Sequence, residues 1–162
     1  MRPVIKFICC AALMGALLPA SAWGKTELNL WKFSPFRYGS CGFCGDFVGF
    51  DENENRGEFT NFNLYYQDGY YTATLKGPAG TTVTLFGGQD YRADRGYLVI
   101  VKKDSSTVKI DDLEAFAPGR WVEQEAREGS SGAVSVYYQS SPNFKSNVAS
   151  VKWGQWWSGA TP

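Results

Sequence analysis

The sequence feature that most restricts the fold is the segment 81–104, TTVTLFGGQDYRADRGYLVIVKKD. Its first part alternates threonine with valine and leucine, which is the period-two pattern of a half-buried strand. Gly87 and Gly88 end this run, and after Gly96 the sequence YLVIV is rich in aromatic and β-branched residues. The segment therefore predicts two antiparallel strands joined by a structured polar loop.

Further strands are predicted on both sides of this hairpin, at a spacing of roughly ten residues with turn residues between them. The candidates are residues 26–31, 59–66, 70–75, 108–110, 120–125, 133–138 and 148–157. One short helix is predicted at residues 111–116, where Asp111 and Glu114 have the spacing of a capping box. The pattern predicts an all-β sandwich or barrel with one short helix.

An aromatic residue, a second aromatic five or six positions later and then glycine or asparagine recur along the chain. The three occurrences are Trp31, Phe36, Gly39; Phe86, Tyr91, Gly96; and Tyr138, Phe144, Asn147. The recurrence resembles the Greek-key unit of the βγ-crystallin family, in which tyrosine and glycine fold a hairpin back over the sheet. Segments 106–110 and 149–153 are similar to the Ser-Val-Lys-like strand that follows it. The resemblance covers about residues 81–157 and implies an antiparallel Greek-key β-sandwich.

A secretory signal peptide is predicted at the start of the chain. Arg2 and Lys6 precede an apolar run, and Ala22 completes a motif of small residues of the kind that a signal peptidase reads. We expect cleavage near Ala22 and a secreted or periplasmic protein without a membrane span, because the run is too short to cross a bilayer. The predicted organisation is a signal peptide (1–22), a β-rich extension with a CxxC loop (23–80) and a Greek-key domain (81–162).

The charge balance and the histidine count narrow the function classes. The sequence has 16 basic and 16 acidic residues, and without Arg2 and Lys6 the mature chain is about two charges negative. No basic block is present, so we expect no nucleic-acid partner. With 0 histidines, the chain cannot form Ser-His-Asp or Cys-His nucleophilic systems. Lysine, tyrosine and carboxylates still permit acid–base chemistry, so the sequence disfavours an enzyme but leaves the question open.

Cys41 and Cys44 form the sharpest chemical motif, CGFC. In an oxidising compartment they can close a small disulfide loop, for which chain entropy predicts only about 2 kcal/mol. Three interpretations follow: a local clamp on an aromatic loop, a redox-active dithiol, or half of a metal site. The βαβ context of a thioredoxin-like motif is missing, and the mature chain offers no further cysteine or histidine for a metal. The clamp is therefore favoured.

Two segments suggest calcium, which is the only cofactor that the sequence indicates. Asp51, Asn53 and Asn55 alternate in the manner of an oxygen-ligand loop, although the glycine and glutamate of an EF-hand are replaced, and a solvated turn is the favoured interpretation. The resemblance to βγ-crystallins implies a second position, because microbial members often bind calcium through Asn/Asp pairs followed by Ser/Thr. Asp104 and Thr107 match that pattern in part.

Three tryptophans near the end of the chain, Trp153, Trp156 and Trp157, form a candidate ligand platform, for instance for a sugar ring. Adjacent residues of a strand point to opposite faces, so the three indoles cannot all lie in one core. At least one of them is expected to be exposed, or covered by the N-terminal extension or a partner. Capping of the fold is the competing interpretation.

The sequence as a whole predicts a non-enzymatic binding or structural module, with calcium or the cell envelope as candidate associations. A thiol–disulfide active protein that uses Cys41 and Cys44 is the first alternative. A secreted inhibitor or carbohydrate-binding module is the second, with a protein or a carbohydrate as its ligand.

Overall fold

The computed structural model describes residues 24–31, 47–59 and 72–162, and these residues form an all-β sandwich. Its elements are β1 (Glu27–Trp31), β2 (Phe47–Asp51), β3 (Thr72–Lys76), β4 (Thr82–Phe86), β5 (Tyr97–Lys102), β6 (Val108–Ile110), β7 (Trp121–Gln124), β8 (Val134–Gln139), α1 (Phe144–Asn147) and β9 (Ser150–Trp153). Sheet A has the order β2-β1-β3-β6, and sheet B has the order β7-β8-β5-β4-β9. All the strand pairs within both sheets are antiparallel, and the predicted all-β sandwich is confirmed.

The predicted central hairpin is confirmed. β4 and β5 pair antiparallel, with Thr82 opposite Val101 at one end and Phe86 opposite Tyr97 at the other. The polar loop between them folds into two 3-10 turns, Gln89–Tyr91 and Ala93–Arg95.

The inner core lies between the two sheets and is mainly aliphatic. Alternation along β5 directs Leu98 and Ile100 into it, and both side chains are fully buried. β6 pairs with β3 through Ala73 and Ile110. Sheet A therefore combines strands from both sides of the predicted boundary between residues 80 and 81.

The predicted helix at residues 111–116 is wrong. Residues 111–116 form turns, because the Asp112 carboxylate accepts the backbone N–H of Glu114 at 2.9 Å and so replaces a helical pattern with a local turn. The short helix of the described chain is α1, which follows Asn143 in a left-handed conformation (φ 56°).

The predicted strand at residues 148–157 is too long. β9 ends at Trp153, because Gly154 adopts a φ of 79° and turns the chain out of the sheet. This turn decides where the last two tryptophans lie.

Several predictions fall on residues outside the described ranges. The signal peptide, Cys41 and Cys44, and most of the predicted strand 59–66 belong to this group and stay predictions. Within the described ranges, no helix combines the length and the apolar character needed to cross a membrane.

Candidate functional site

The outer face of sheet B carries a second apolar cluster, separate from the inner core. The residues that alternate with Leu98 and Ile100 on β5 point to this side, so Tyr97 and Val99 are buried there. We call this cluster the outer aromatic face. Its members are Phe86, Tyr97, Val99 and Tyr137, with the partly buried Tyr91, Val101, Trp121, Trp156 and Trp157 packed against them.

Residues 154–162, here called the C-terminal strap, lie across this face. The Trp156 ring packs on Phe86 and Tyr97, with ring centroids 5.4 and 5.5 Å apart, and its indole N–H donates to the Thr84 hydroxyl at 2.8 Å. Further along the strap, the Ala160 carbonyl accepts the indole N–H of Trp121 at 2.8 Å. The strap therefore covers the buried centre of the face.

At one end of the strap, two indoles remain half-buried and border a depression of about 380 Å³. Trp121 and Trp157 lie 5.9 Å apart between ring centroids, tilted by 47°. We call this pair and its depression the indole ledge. The other residues that line it are Thr82, Val101, Lys103, Glu123, Ser135 and Gln155.

The polar groups of the ledge are oriented by one another. The Glu123 carboxylate accepts the Ser135 hydroxyl at 2.7 Å, and its second oxygen lies 3.7 Å from the Lys103 ammonium. The Gln155 amide donates to the Trp157 carbonyl at 3.1 Å. Charged and uncharged hydrogen-bonding groups thus surround the two indole rings.

Trp153, the third predicted ligand-facing tryptophan, lies elsewhere. It belongs to the inner core and is only 8% exposed. The structure brings Trp156 and Trp157 together on the outer face, where their rings lie 5.9 Å apart, and separates them from Trp153.

The predicted calcium ligands of the acidic segment at the end of β2 make contacts within the protein. Asp51 forms an ion pair with Lys25 at 2.6 Å, and Asn53 adopts a left-handed backbone (φ 64°). The Asn55 side-chain oxygen accepts the backbone N–H of Trp153 at 2.7 Å and so ties this loop to β9. These contacts give the loop a structural role.

Asp104 is also engaged by the protein. One carboxylate oxygen accepts the backbone N–H of Ser106 at 2.9 Å, and the other accepts that of Ala133 at 2.8 Å. Thr107, its predicted partner, is half-buried beside this turn. In the described ranges, no group of three acidic, cysteine or histidine side chains could hold a metal ion.

The neighbouring residue Lys102 explains part of the arrangement around Asp104. Its side chain points into the sandwich and is 1% exposed, and its ammonium donates to the Leu75 carbonyl at 3.3 Å and to the Ser106 carbonyl. Burial lowers the pKa of Lys102, and the nearby Asp104 carboxylate opposes that shift. Asp104 therefore supports a buried lysine in addition to its turn.

The sequence analysis missed the residues that complete the ledge. Trp121 and Glu123 are two apart on β7 and share one face, which the predicted strand at 120–125 already implied. Their proximity to Trp157 depends on the turn at Gly154, and no local pattern reveals that contact.

Comparisons with protein-family models, with curated proteins and with solved structures find no significant match to this chain.

Proposed function

We propose that this chain is a non-enzymatic binding module of the secreted or periplasmic space, and that it binds a saccharide at the indole ledge. The observation that carries the proposal is the pair of half-buried indoles, Trp121 and Trp157, beside a depression lined with polar side chains. A sugar ring has an apolar face of C–H groups and a rim of hydroxyls, and this surface offers a partner for each.

The charge and hydrogen-bonding character of the ledge favours a neutral, hydroxyl-rich ligand. Glu123 and Lys103 offset each other's charge, and the Gln155 amide can donate and accept. The hydroxyls of Ser135 and Thr82 already donate to Glu123 and to the Gly80 carbonyl, so they are left as acceptors. A strongly anionic or cationic ligand would gain little from this balanced set. The depression is also within the size range of small-molecule sites.

For the architecture we propose a βγ-crystallin-like Greek key. The last strand, β9, lies beside β4, the first strand of sheet B, and the order β9-β4-β5-β8 supports a Greek key in which β6 and β7 lie between β5 and β8 in the sequence. The polar loop also supports the proposal. Tyr91 folds back onto Phe86 with ring centroids 6.0 Å apart, and its backbone N–H donates to the Ser150 hydroxyl at 3.1 Å.

The proposed function is tested by titrating the folded protein with soluble oligosaccharides of β-linked glucose, N-acetylglucosamine and peptidoglycan fragments, with calorimetric detection. We expect saturable binding of at least one of them. Trp157→Ala should weaken it by about fivefold or more, because a stacked ring contributes about 1 kcal/mol. Glu123→Gln should weaken it less, since it keeps the shape of the side chain.

Phe47→Ala provides the matched control, because Phe47 is an exposed aromatic residue on sheet A, where it stacks on Trp31. The saccharide affinity of the Phe47→Ala variant should equal that of the wild type. Thermal melting of each variant shows whether the fold is retained. Binding that survives Trp157→Ala unchanged, or no binding across the whole panel, would exclude the saccharide proposal.

A further inference from the structure

A second depression, of about 350 Å³, lies beyond the opposite end of the β4–β5 hairpin from the indole ledge. The ledge begins at the Thr82–Val101 pair, whereas this cleft begins at Gly87, just after the Phe86–Tyr97 pair. Thr82 and Phe86, the first and last residues of β4, are four positions apart, which is roughly 13 Å along an extended strand. The two depressions share no lining residue.

The wall of the cleft is the polar loop, and the sandwich holds that loop in place. The Ser150 hydroxyl donates to the Gly88 carbonyl at 2.7 Å, while the Gly87 N–H donates to the Gly96 carbonyl at 3.0 Å. A Cβ atom on Gly87 would lie 2.1 Å from the Arg95 carbonyl oxygen, so the two backbone segments touch. Side chains that project from this loop therefore start from a fixed backbone.

Two of those side chains are arginines that line the cleft, Arg92 and Arg95. No carboxylate lines it, and the remaining polar walls come from Gln89 and from Ser146 and Asn147 of α1. Asp90 and Asp94 on the same loop balance the charge of the two arginines, so what distinguishes the cleft is that both arginines line it and neither aspartate does.

The two guanidinium groups differ in the ion pairs that they form within the protein. Arg92 forms an ion pair with the exposed Asp94, and this contact lowers the pKa of the Asp94 carboxyl. Arg95 has no carboxylate within ion-pair distance in the described part of the chain. The Arg95 guanidinium is thus available for a ligand, and the Arg92 guanidinium is paired with a carboxylate that an incoming anion could replace.

We propose that this cleft is an anion-binding site for a phosphate or sulfate group. A guanidinium presents parallel N–H donors that match two oxygens of such a group, and two guanidiniums on one loop match its remaining charge. The cleft has room for the group that carries the phosphate or sulfate as well as for the oxyanion itself. This site is independent of the indole ledge and of its proposed saccharide.

The test is an NMR titration of the ¹⁵N-labelled protein with inorganic phosphate, with sulfate and, at matched ionic strength, with chloride. The amide signals of Gly87, Gly88 and Gly96 should shift saturably with phosphate and sulfate but not with chloride. Arg95→Gln should weaken phosphate binding by about tenfold, which corresponds to the loss of one charge-assisted contact. Arg92→Gln should also weaken it.

Asp94→Asn supplies a test of opposite sign. Removing the competing carboxylate should tighten phosphate binding several-fold, because Arg92 is then free for the ligand. Arg120→Gln is the matched control, since Arg120 is exposed and lies outside the cleft, and it should leave the affinity unchanged. Equal effects of Arg95→Gln and Arg120→Gln, or equal shifts with chloride and phosphate, would overturn the proposal.

Discussion

The two apolar clusters of this protein, the inner core and the outer aromatic face, are built in different ways. The inner core is enclosed by strands of both sheets, and aliphatic side chains such as Leu98 and Ile100 have no exposed surface. The outer face has a sheet on one side only, and the C-terminal strap covers it from the other. A cluster with a single covering segment can keep part of its surface open, and the indole ledge is that part.

The chemistry of the two clusters follows from this difference. Inner residues are mainly aliphatic, whereas outer residues are mainly aromatic, with polar atoms that find partners at the edge of the cluster. The Tyr97 hydroxyl donates to the Pro162 carbonyl at 3.1 Å, and the indoles of Trp121 and Trp156 also donate. We infer that the inner core provides most of the folding free energy and that the outer face provides the recognition surface.

The largest effect is expected in the inner core. Leu98→Ala should lower the free energy of unfolding by about 3–5 kcal/mol, because it removes a fully buried side chain and leaves a cavity between two sheets. Urea denaturation measures this loss. A loss below about 1 kcal/mol would mean that the sheets are not packed as described.

A smaller effect is expected on the outer face. Trp156→Ala should lower the free energy of unfolding by about 2 kcal/mol, since the indole is half-buried and makes ring contacts and one hydrogen bond. Trp156→Phe keeps the ring contacts but not the hydrogen bond, so its loss should be about 1 kcal/mol. If Trp156→Ala lowers the free energy of unfolding as much as Leu98→Ala, the C-terminal strap contributes to stability like the inner core. The proposed difference between the inner core and the outer aromatic face would then be wrong.

The smallest effect concerns pH. Burial raises the pKa of Tyr138, an inner-core residue, to about 12. Above pH 10 an unfolded tyrosine releases its proton while the folded one keeps it, so the unfolded state binds fewer protons and stability falls as pH rises. The contribution of Tyr138 should be about 1 kcal/mol by pH 11. Unfolding measurements from pH 9 to 11 should show a shallower decline for Tyr138→Phe, and equal slopes would contradict the expected shift.

The comparison also shows what the sequence could predict. Period-two alternation marked β4 correctly, and the enrichment in aromatic and β-branched residues marked β5. β6 was predicted at residues 108–110 with the observed bounds. The helix at residues 111–116 failed because the Asp112 side chain stabilises a turn with the same residue types that begin a helix.

The candidate site was predicted only in part. Trp156 and Trp157 were recognised as candidates for a ligand platform, but Trp153 was grouped with them because the turn at Gly154 was not foreseen. Trp121 reaches Trp157 from 36 positions earlier in the chain. A contact of that kind depends on the order of strands in the sheet, which a single sequence does not encode locally.

Saccharide binding at the indole ledge is tested most directly by an NMR titration. The titration follows the indole N–H signals of the ¹⁵N-labelled protein during addition of the tightest-binding oligosaccharide. The signals of Trp121 and Trp157 should shift together and saturate at one ligand concentration, because both rings border the ledge. The signals of Trp31 on sheet A and Trp153 in the inner core should stay in place. Shifts at Trp31 or Trp153 with Trp121 and Trp157 unchanged would contradict the account.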